Sequence, residues 1–456
     1  MNRNSLYAII FKLTNLIRSP ATPAAILLYG IVFGFAMWSY LGWQWQRNHT
    51  ITLYVAIAAW SVVVIFRRWR AIGLSLNGLD IIFSGFLFWV LGSIATHWWK
   101  GTIQYLEFIP FFVILPYLLG RMMVAQDVEL FKKLLIGMGV ALLLLLPFEY
   151  WKNSQPGFLY ENSPAPILFG QGHGVMLSGL LFSATLLALV SKLMSPAASN
   201  MESRGRGGLY RFFGYLLLAA LASAMVWISS RGSVVAVMLG VVALFLFSSF
   251  FGWKKKTAIL SLLGLSAVVA FSISFQNKYH KEYYQQLFVP PAIALNEVPR
   301  QEPRLEYGKP ILGEDVCKDI PNSISDRWVH YRSAWEIFLA KPLTGVGANS
   351  YGFYSCRGPG WFPHTTILQV LAELGVIGGL LYFPLIWIMF WVPITRYKSG
   401  VNVPFKANMG WLLAFIVLQF TTSQFNGNYF MSAGLYFAMG LAASFFNTSE
   451  QNRVGT

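Results

Sequence analysis

Twelve apolar stretches, most of them near the length of a bilayer-crossing helix, recur along this 456-residue chain and restrict it to one kind of fold. About 20 apolar residues in an α-helix are enough to cross the hydrocarbon core of a membrane. The stretches are 23–43, 50–66, 79–97, 103–120, 131–150, 173–191, 212–229, 233–251, 257–275, 366–394, 407–422 and 428–447. With 56% hydrophobic residues, 11% charged residues and a mean hydropathy of +0.54, a soluble enzyme is excluded. The expectation is an all-α polytopic membrane protein in three parts: nine helices in 1–275, a long polar loop over 276–363, and three helices with a short tail in 364–456.

Charge placement orients the chain. Arg3, Lys12 and Arg18 precede a first apolar stretch too long for a signal-peptide core, so the N-terminus is expected to be retained. Putting both termini on one side gathers 20 of the 34 basic residues there with five of the 18 acids, which leaves +15 on that side and +1 elsewhere. An excess of Lys and Arg in short loops marks the cytoplasmic face. The overall charge of +16 is therefore a topology signal and not a nucleic-acid footprint, and the long loop falls outside. Trp43, Trp45, Trp98, Trp99 and Trp151 lie at the outer ends, where indole rings favour the headgroup layer.

The two cysteines, Cys317 and Cys356, both sit in the outer loop. In an oxidising compartment they can close a disulfide; the alternative is two unrelated buried thiols. No metal-ligand spacing is visible, so no metal site is expected. From Asp326 to Leu339 the sequence has a helical apolar rhythm, with Trp328, Tyr331, Trp335 and Phe338 on one stripe. Pro342 ends it and Gly345-Val346-Gly347 makes a turn. This predicts a helix on or near the outer leaflet.

Ionisable residues at the membrane edge are the functional candidates. Arg231, in Ser229-Ser230-Arg231-Gly232-Ser233, is costly beside hydrocarbon unless it has a partner or faces a polar cavity. The bland alternative is a headgroup-binding arginine. The eighth stretch starts here, and the tenth starts just after Pro363-His364-Thr365, so two helix N-termini can offer backbone N–H groups to one outer anion. Adding Arg231 and an arginine from the loop helix makes a site suited to a doubly charged group such as diphosphate. Nearby cations disfavour protonation of His364, whose neutral imidazole could take a proton from an attacking hydroxyl. A helix-capping or headgroup histidine is the alternative.

These residues also carry a resemblance. The Ser-Arg-Gly around Arg231, Arg327 at the head of an aromatic helical run, Pro342-Leu343-Thr344-Gly345-Val346-Gly347, and His364 leading into Ala372-Glu373-Leu374-Gly375 resemble the O-antigen ligase and polymerase superfamily. The resemblance implies a GT-C-like glycosyltransferase of about twelve transmembrane helices in the bacterial inner membrane, with cytoplasmic termini and a periplasmic site. It implies transfer of O-antigen from an undecaprenyl-diphosphate carrier to lipid A–core, without metal or other cofactor. Carried over by position, Arg231 and Arg327 would hold the diphosphate and His364 would activate the acceptor hydroxyl. Relatives are expected to have Asn or Ser after that histidine, whereas Thr365 stands here, which questions any supporting role at that position.

The residues support parts of this on their own. Outside the membrane there is no nucleotide sugar, so a lipid diphosphate is a sensible energy source. No Asp-x-Asp pair occurs, and the first outer loop, taken as 44–49, has no acid to hold a magnesium ion. Secondary candidates for substrate binding are Arg332, His330 for the donor sugar, His173 for the cavity lining, and Thr365; Glu373 is expected to pair with a buried cation. The site is pictured as a laterally open cavity in a monomer, in contact with membrane lipids and roofed by the loop helix. Rivals are an O-antigen polymerase and, from another class, a lipid or glycan transporter. A protein-glycosylating relative fits less well because little chain follows the last apolar stretch, and no internal repeat favours the transporter.

Overall fold

Helices stand at the position of each apolar stretch. The computed structural model describes residues 14–30, 43–72, 76–97, 108–153, 173–194, 207–227, 231–247, 253–276, 305–314, 323–399, 403–425 and 428–446, with Leu106 and Cys317. In chain order the helices are α1 (Ala21–Ala25, extended by a π-helical turn over Ile26–Gly30), α2 (Trp43–Ile72), α3 (Gly78–Thr96) and α4 (Leu115–Arg121, preceded by a π-helical turn over Ile109–Ile114). They continue with α5 (Ala125–Asn153), α6 (His173–Leu193), α7 (Gly207–Trp227), α8 (Arg231–Leu246) and α9 (Trp253–Gln276). The last four are α10 (Ser323–Ala340), α11 (Thr366–Ser399), α12 (Val403–Phe425) and α13 (Ala433–Ser444). Among the described residues every regular element is helical.

Three of these helices are long and apolar enough to cross a membrane, over Gly78–Thr96, Ala125–Pro147 and Thr366–Lys398, and seven shorter apolar helices accompany them among the described residues. One expectation is corrected: α2 begins at Trp43, so residues 44–49 are helical and not a loop. The sequence argument against a magnesium site then rests on the lack of an Asp-x-Asp pair alone.

Two ion pairs, one buried and one partly exposed at Arg68, lock one end of the bundle. Asp80 caps its own helix with Asn77 and receives Arg121 at 3.1 Å and the Tyr117 hydroxyl at 2.7 Å. Asp127 joins Arg68 at 2.8 Å and Ser19 at 2.6 Å. Removing both charges from water is costly, and the remaining lone pairs must be hydrogen-bonded for such pairs to persist. Here they are. These bonds gather the end of α2, the start of α3, the end of α4 and the start of α5.

At the opposite end, α11 is the hub. It packs against α3, α12, α13 and the loop helix α10. α8 runs antiparallel to α12: a Cβ added to Gly240 would lie 3.2 Å from the Ala414 carbonyl oxygen, and one on Gly410 3.0 Å from that of Phe247. Extending that register at ~1.5 Å per residue brings the start of α8 level with the last turn of α12. Gln424, in that turn, hydrogen-bonds Thr365 and Thr366 at the head of α11.

Candidate active site

The loop helix α10 is amphipathic in an unexpected way. Its packed face is Val329, His330, Ser333, Ala334 and Ile337, all buried, while Trp328 and Trp335 are 46% and 45% exposed. The two tryptophans of the aromatic stripe thus point away from the protein, while Tyr331 and Phe338 are half-buried. Small side chains let α10 approach a cluster of Val346, Tyr351, Tyr354 and Ala372 closely, and the large rings are left for the surroundings. Cys317 and Cys356 are bonded, with Cα atoms 5.1 Å apart, which fastens the chain just beyond 305–314 to the turn after Tyr354.

The two glycine-containing motifs turn out to be one structural unit. α11 is broken at Gly375, where φ is 65° and ψ is −164°. Into that break fits the backbone of the Pro342–Gly347 turn. Val346 and Gly347 donate to the carbonyls of Ala372 and Glu373 at 3.0 and 2.9 Å, and Val376 donates to Pro342 at 2.8 Å. Ile377 donates to Leu343 at 3.3 Å, and the Trp89 indole reaches the Leu374 carbonyl at 3.3 Å. A Cβ on Gly345 would sit 2.3 Å from the Glu373 carbonyl carbon, and one on Gly375 2.3 Å from the Leu343 oxygen. Only glycine allows this contact in both chains. A break inside an apolar helix frees backbone groups that need partners, and this turn supplies them.

Glu373 corrects another expectation. Its carboxylate accepts the backbone N–H groups of Asn349 at 2.7 Å and Tyr351 at 3.1 Å, instead of pairing with a cation. Ser93 of α3 accepts the next N–H, that of Ala348, at 2.9 Å.

His364 lies between this turn region and α11. Its φ of 59° is left-handed, a conformation that costs a non-glycine residue of order 1–3 kcal/mol and persists only where the surroundings enforce it. Phe362, His330 and Trp361 surround the imidazole at centroid distances of 4.7, 5.7 and 6.2 Å. His330 is fully buried, stacked on Trp361 at 5.8 Å, with Nδ1 2.8 Å from the Tyr351 hydroxyl. A direct sugar contact by His330 does not suit that burial; it lies behind His364 and Trp361.

Thr365 and Thr366 are also engaged. Thr365 donates to Gln424 at 2.7 Å, Gln424 donates to Thr366 at 2.7 Å, and the Ile367 N–H faces the same glutamine oxygen at 3.4 Å. A side chain from α12 is therefore docked on the head of α11, and one N–H there, that of Ile367, has a partner.

Arg327 and Arg332 lie on α10, each half-buried. Five helical residues separate them, so they project from different faces, whereas His330 lies closer to the Arg327 face. Arg231 is the first residue of α8, level with the Gln424 turn. His173 begins α6, which runs parallel to α8, with Ser183 donating to the Ser233 carbonyl at 3.4 Å and Leu187 against Gly240. That register sets Arg231 about 8–12 Å further along than His173, so the two do not share a level. The side chains of Arg231 and His173 lie outside the described residues.

Sequence reasoning missed Tyr351, Ser93, Trp89 and Gln424. Only Gln424 had a visible signal, the polar run Thr421-Thr422-Ser423-Gln424 inside an apolar helix.

No curated protein matches the chain. The family model described as O-antigen ligase matches residues 216–383, from within α7 through the broken part of α11, and this span holds Arg231, Arg327, the interlocked glycine motifs and His364. On that match, the chain is consistent with a member of the O-antigen ligase superfamily.

Proposed function

We propose that this protein is an O-antigen ligase of the bacterial inner membrane, a GT-C-like glycosyltransferase with twelve membrane-spanning helices, cytoplasmic termini and a periplasmic site. It would transfer O-antigen from undecaprenyl diphosphate to lipid A–core without a metal. The acceptor hydroxyl oxygen bonds to the anomeric carbon as the bond to the diphosphate oxygen breaks. The hydroxyl proton passes to His364, and undecaprenyl diphosphate leaves with the bonding electrons, stabilised by Arg327 and Arg231. Arg332 and Thr365 are supporting groups near that centre.

One observation carries this reading. His364 is held in a strained backbone conformation against the helix that bears Arg327, and both lie within the span that matches the O-antigen ligase family. Strained residues cluster where a side chain must be aimed. Arg231 adds weight through its level, since α8 starts beside the turn of α12 that docks on Thr365.

The test is transfer in vitro with EDTA present, using undecaprenyl-diphosphate-linked O-antigen, lipid A–core and purified protein. Wild type should make higher-mass lipopolysaccharide, and His364→Ala should lose about 10²- to 10⁴-fold in rate, the usual contribution of a general base. Full activity in folded His364→Ala, Arg327→Ala and Arg231→Ala proteins together would refute the mechanism. Glycan lengthening on the carrier alone would make the protein a polymerase. No product from authentic substrates would favour the transporter.

A further inference from the structure

We propose that Tyr351 is a positioning residue that orients His364 through His330; this rests on the reading that His364 carries the chemistry. Tyr351 is fully buried and held at both ends. Its backbone N–H donates to Glu373 at 3.1 Å, which ties it to the broken segment of α11. Its hydroxyl is 2.8 Å from His330 Nδ1 and 3.1 Å from the His330 carbonyl oxygen.

A phenol has one proton to give, and a carbonyl oxygen can only accept. Tyr351 therefore donates to the carbonyl, and His330 Nδ1–H donates to the tyrosine oxygen. Both contacts are then satisfied at once, and His330 is fixed in the Nδ1-protonated tautomer. The same pair of bonds sets the ring's tilt. That tilt matters because His330 stacks on Trp361 with planes 10° apart and meets the His364 ring nearly edge-on, at 83°. Trp361 in turn meets His364 at 84°. Two of the rings surrounding His364 are thus aligned by one hydroxyl.

The order of contact is Glu373, Tyr351, His330, His364. A change at Tyr351 should misaim the imidazole with little effect on donor binding, since the hydroxyl bonds His330 and not the diphosphate-binding arginines of the proposed mechanism. Misplacement of a catalytic group by about 1 Å can cost up to about 10²-fold in rate.

The experiment uses full-length protein in detergent. The chain has six histidines, so histidine-selective ¹⁵N labelling gives a spectrum simple enough to assign by single substitutions. In wild type, His330 should show the Nδ1-protonated tautomer. In Tyr351→Phe, which keeps the ring and its packing, that signature should be lost and the His364 resonances should move. Transfer should fall about 10- to 100-fold in kcat with the donor KM unchanged within about twofold. The proposal is overturned if wild-type His330 is protonated on Nε2. It is overturned equally if Tyr351→Phe keeps wild-type kcat and His364 resonances while His364→Ala is inactive. If His364→Ala is itself fully active, the underlying mechanism fails, and this inference with it.

Discussion

The interlock between the Pro342–Gly347 turn and α11 yields a sharp prediction for Gly375→Ala. The glycine sits at φ 65° and ψ −164°, a region that other residues enter at a cost of about 1–3 kcal/mol. The new methyl would also stand 2.3 Å from the Leu343 carbonyl oxygen, so the two strands of backbone must part. Parting them releases the bonds from Val376 to Pro342 and from Ile377 to Leu343, each worth about 0.5–1.5 kcal/mol net. Together this is about 4 kcal/mol against docking, or about three decades in the opening equilibrium. Hydrogen exchange reads that equilibrium directly, because the turn can open without the bundle unfolding. The amides of Val346 and Gly347, bonded to Ala372 and Glu373, should exchange about 10³-fold faster in the variant. Gly264→Ala is the control: it lies within α9 with open space around it, and helix propensity alone favours alanine there by about 1 kcal/mol. Unchanged protection at Val346 and Gly347 in Gly375→Ala, or an equal loss in Gly264→Ala, would show that the interlock does not exist in the molecule.

Other perturbations separate the parts of the site. Glu373→Ala strands the buried amides of Asn349 and Tyr351, at about 1–3 kcal/mol each, and should raise exchange at 349–351 without disturbing the opposite end of the bundle. Opening the disulfide with Cys317→Ser and Cys356→Ser removes a 39-residue closure worth about 4 kcal/mol; proteolysis at the exposed Arg357 should accelerate in the variant and in reduced wild type. Arg121→Ala leaves the Asp80 carboxylate buried without its cation, which costs about 3–5 kcal/mol, and should lower the melting midpoint followed by tryptophan fluorescence. Arg327→Lys keeps the charge but loses the planar fork; donor-dependent transfer should fall about tenfold or more, and wild-type donor dependence would remove Arg327 from the diphosphate site.

The helices were legible because a bilayer demands a fixed apolar length, and that length is printed in the sequence. Their ends were less so. α2 extends from Trp43 to Ile72 around the stretch 50–66, and α5 from Ala125 to Asn153 around 131–150, because helical hydrogen bonding does not stop where the hydrocarbon does. Periodicity found α10 but not its packed face: it singles out large apolar residues, whereas close helix packing selects Ala334, Ser333 and Val329. Arg327 and His364 could be named from a motif. Their supports could not, since Glu373 is bonded to amides 22 and 24 residues away, and no local pattern announces such a partner. The glycines of the two motifs hinted at close approach, but not that each motif was the other's partner.

The glutamine docked on the head of α11 changes how an anion would be held. A free helix N-terminus favours a negative charge by about 0.3–1 kcal/mol when exposed, and Gln424 already occupies the Ile367 amide there. A charge-assisted bond from an arginine is worth about 1.5–3 kcal/mol, so on the proposed mechanism the diphosphate depends mainly on Arg327 and Arg231. These two residues come from separate helices. α10 is fixed to α11 through the packed cluster of Ala334, Ile337, Val346 and Ala372, whereas α8 is fixed to α12 through Gly240 and Gly410. The two pairs meet where α11 packs against α12, and at the head of α11 that contact includes the hydrogen bonds of Gln424 with Thr365 and Thr366, next to His364. On the proposed mechanism, His364 therefore adjoins the contact between the two arginine-bearing helix pairs. Its strained backbone is flanked by aromatic rings on one side and by the glutamine bridge to Thr365 and Thr366 on the other, which gives a physical reason for the conformation to persist.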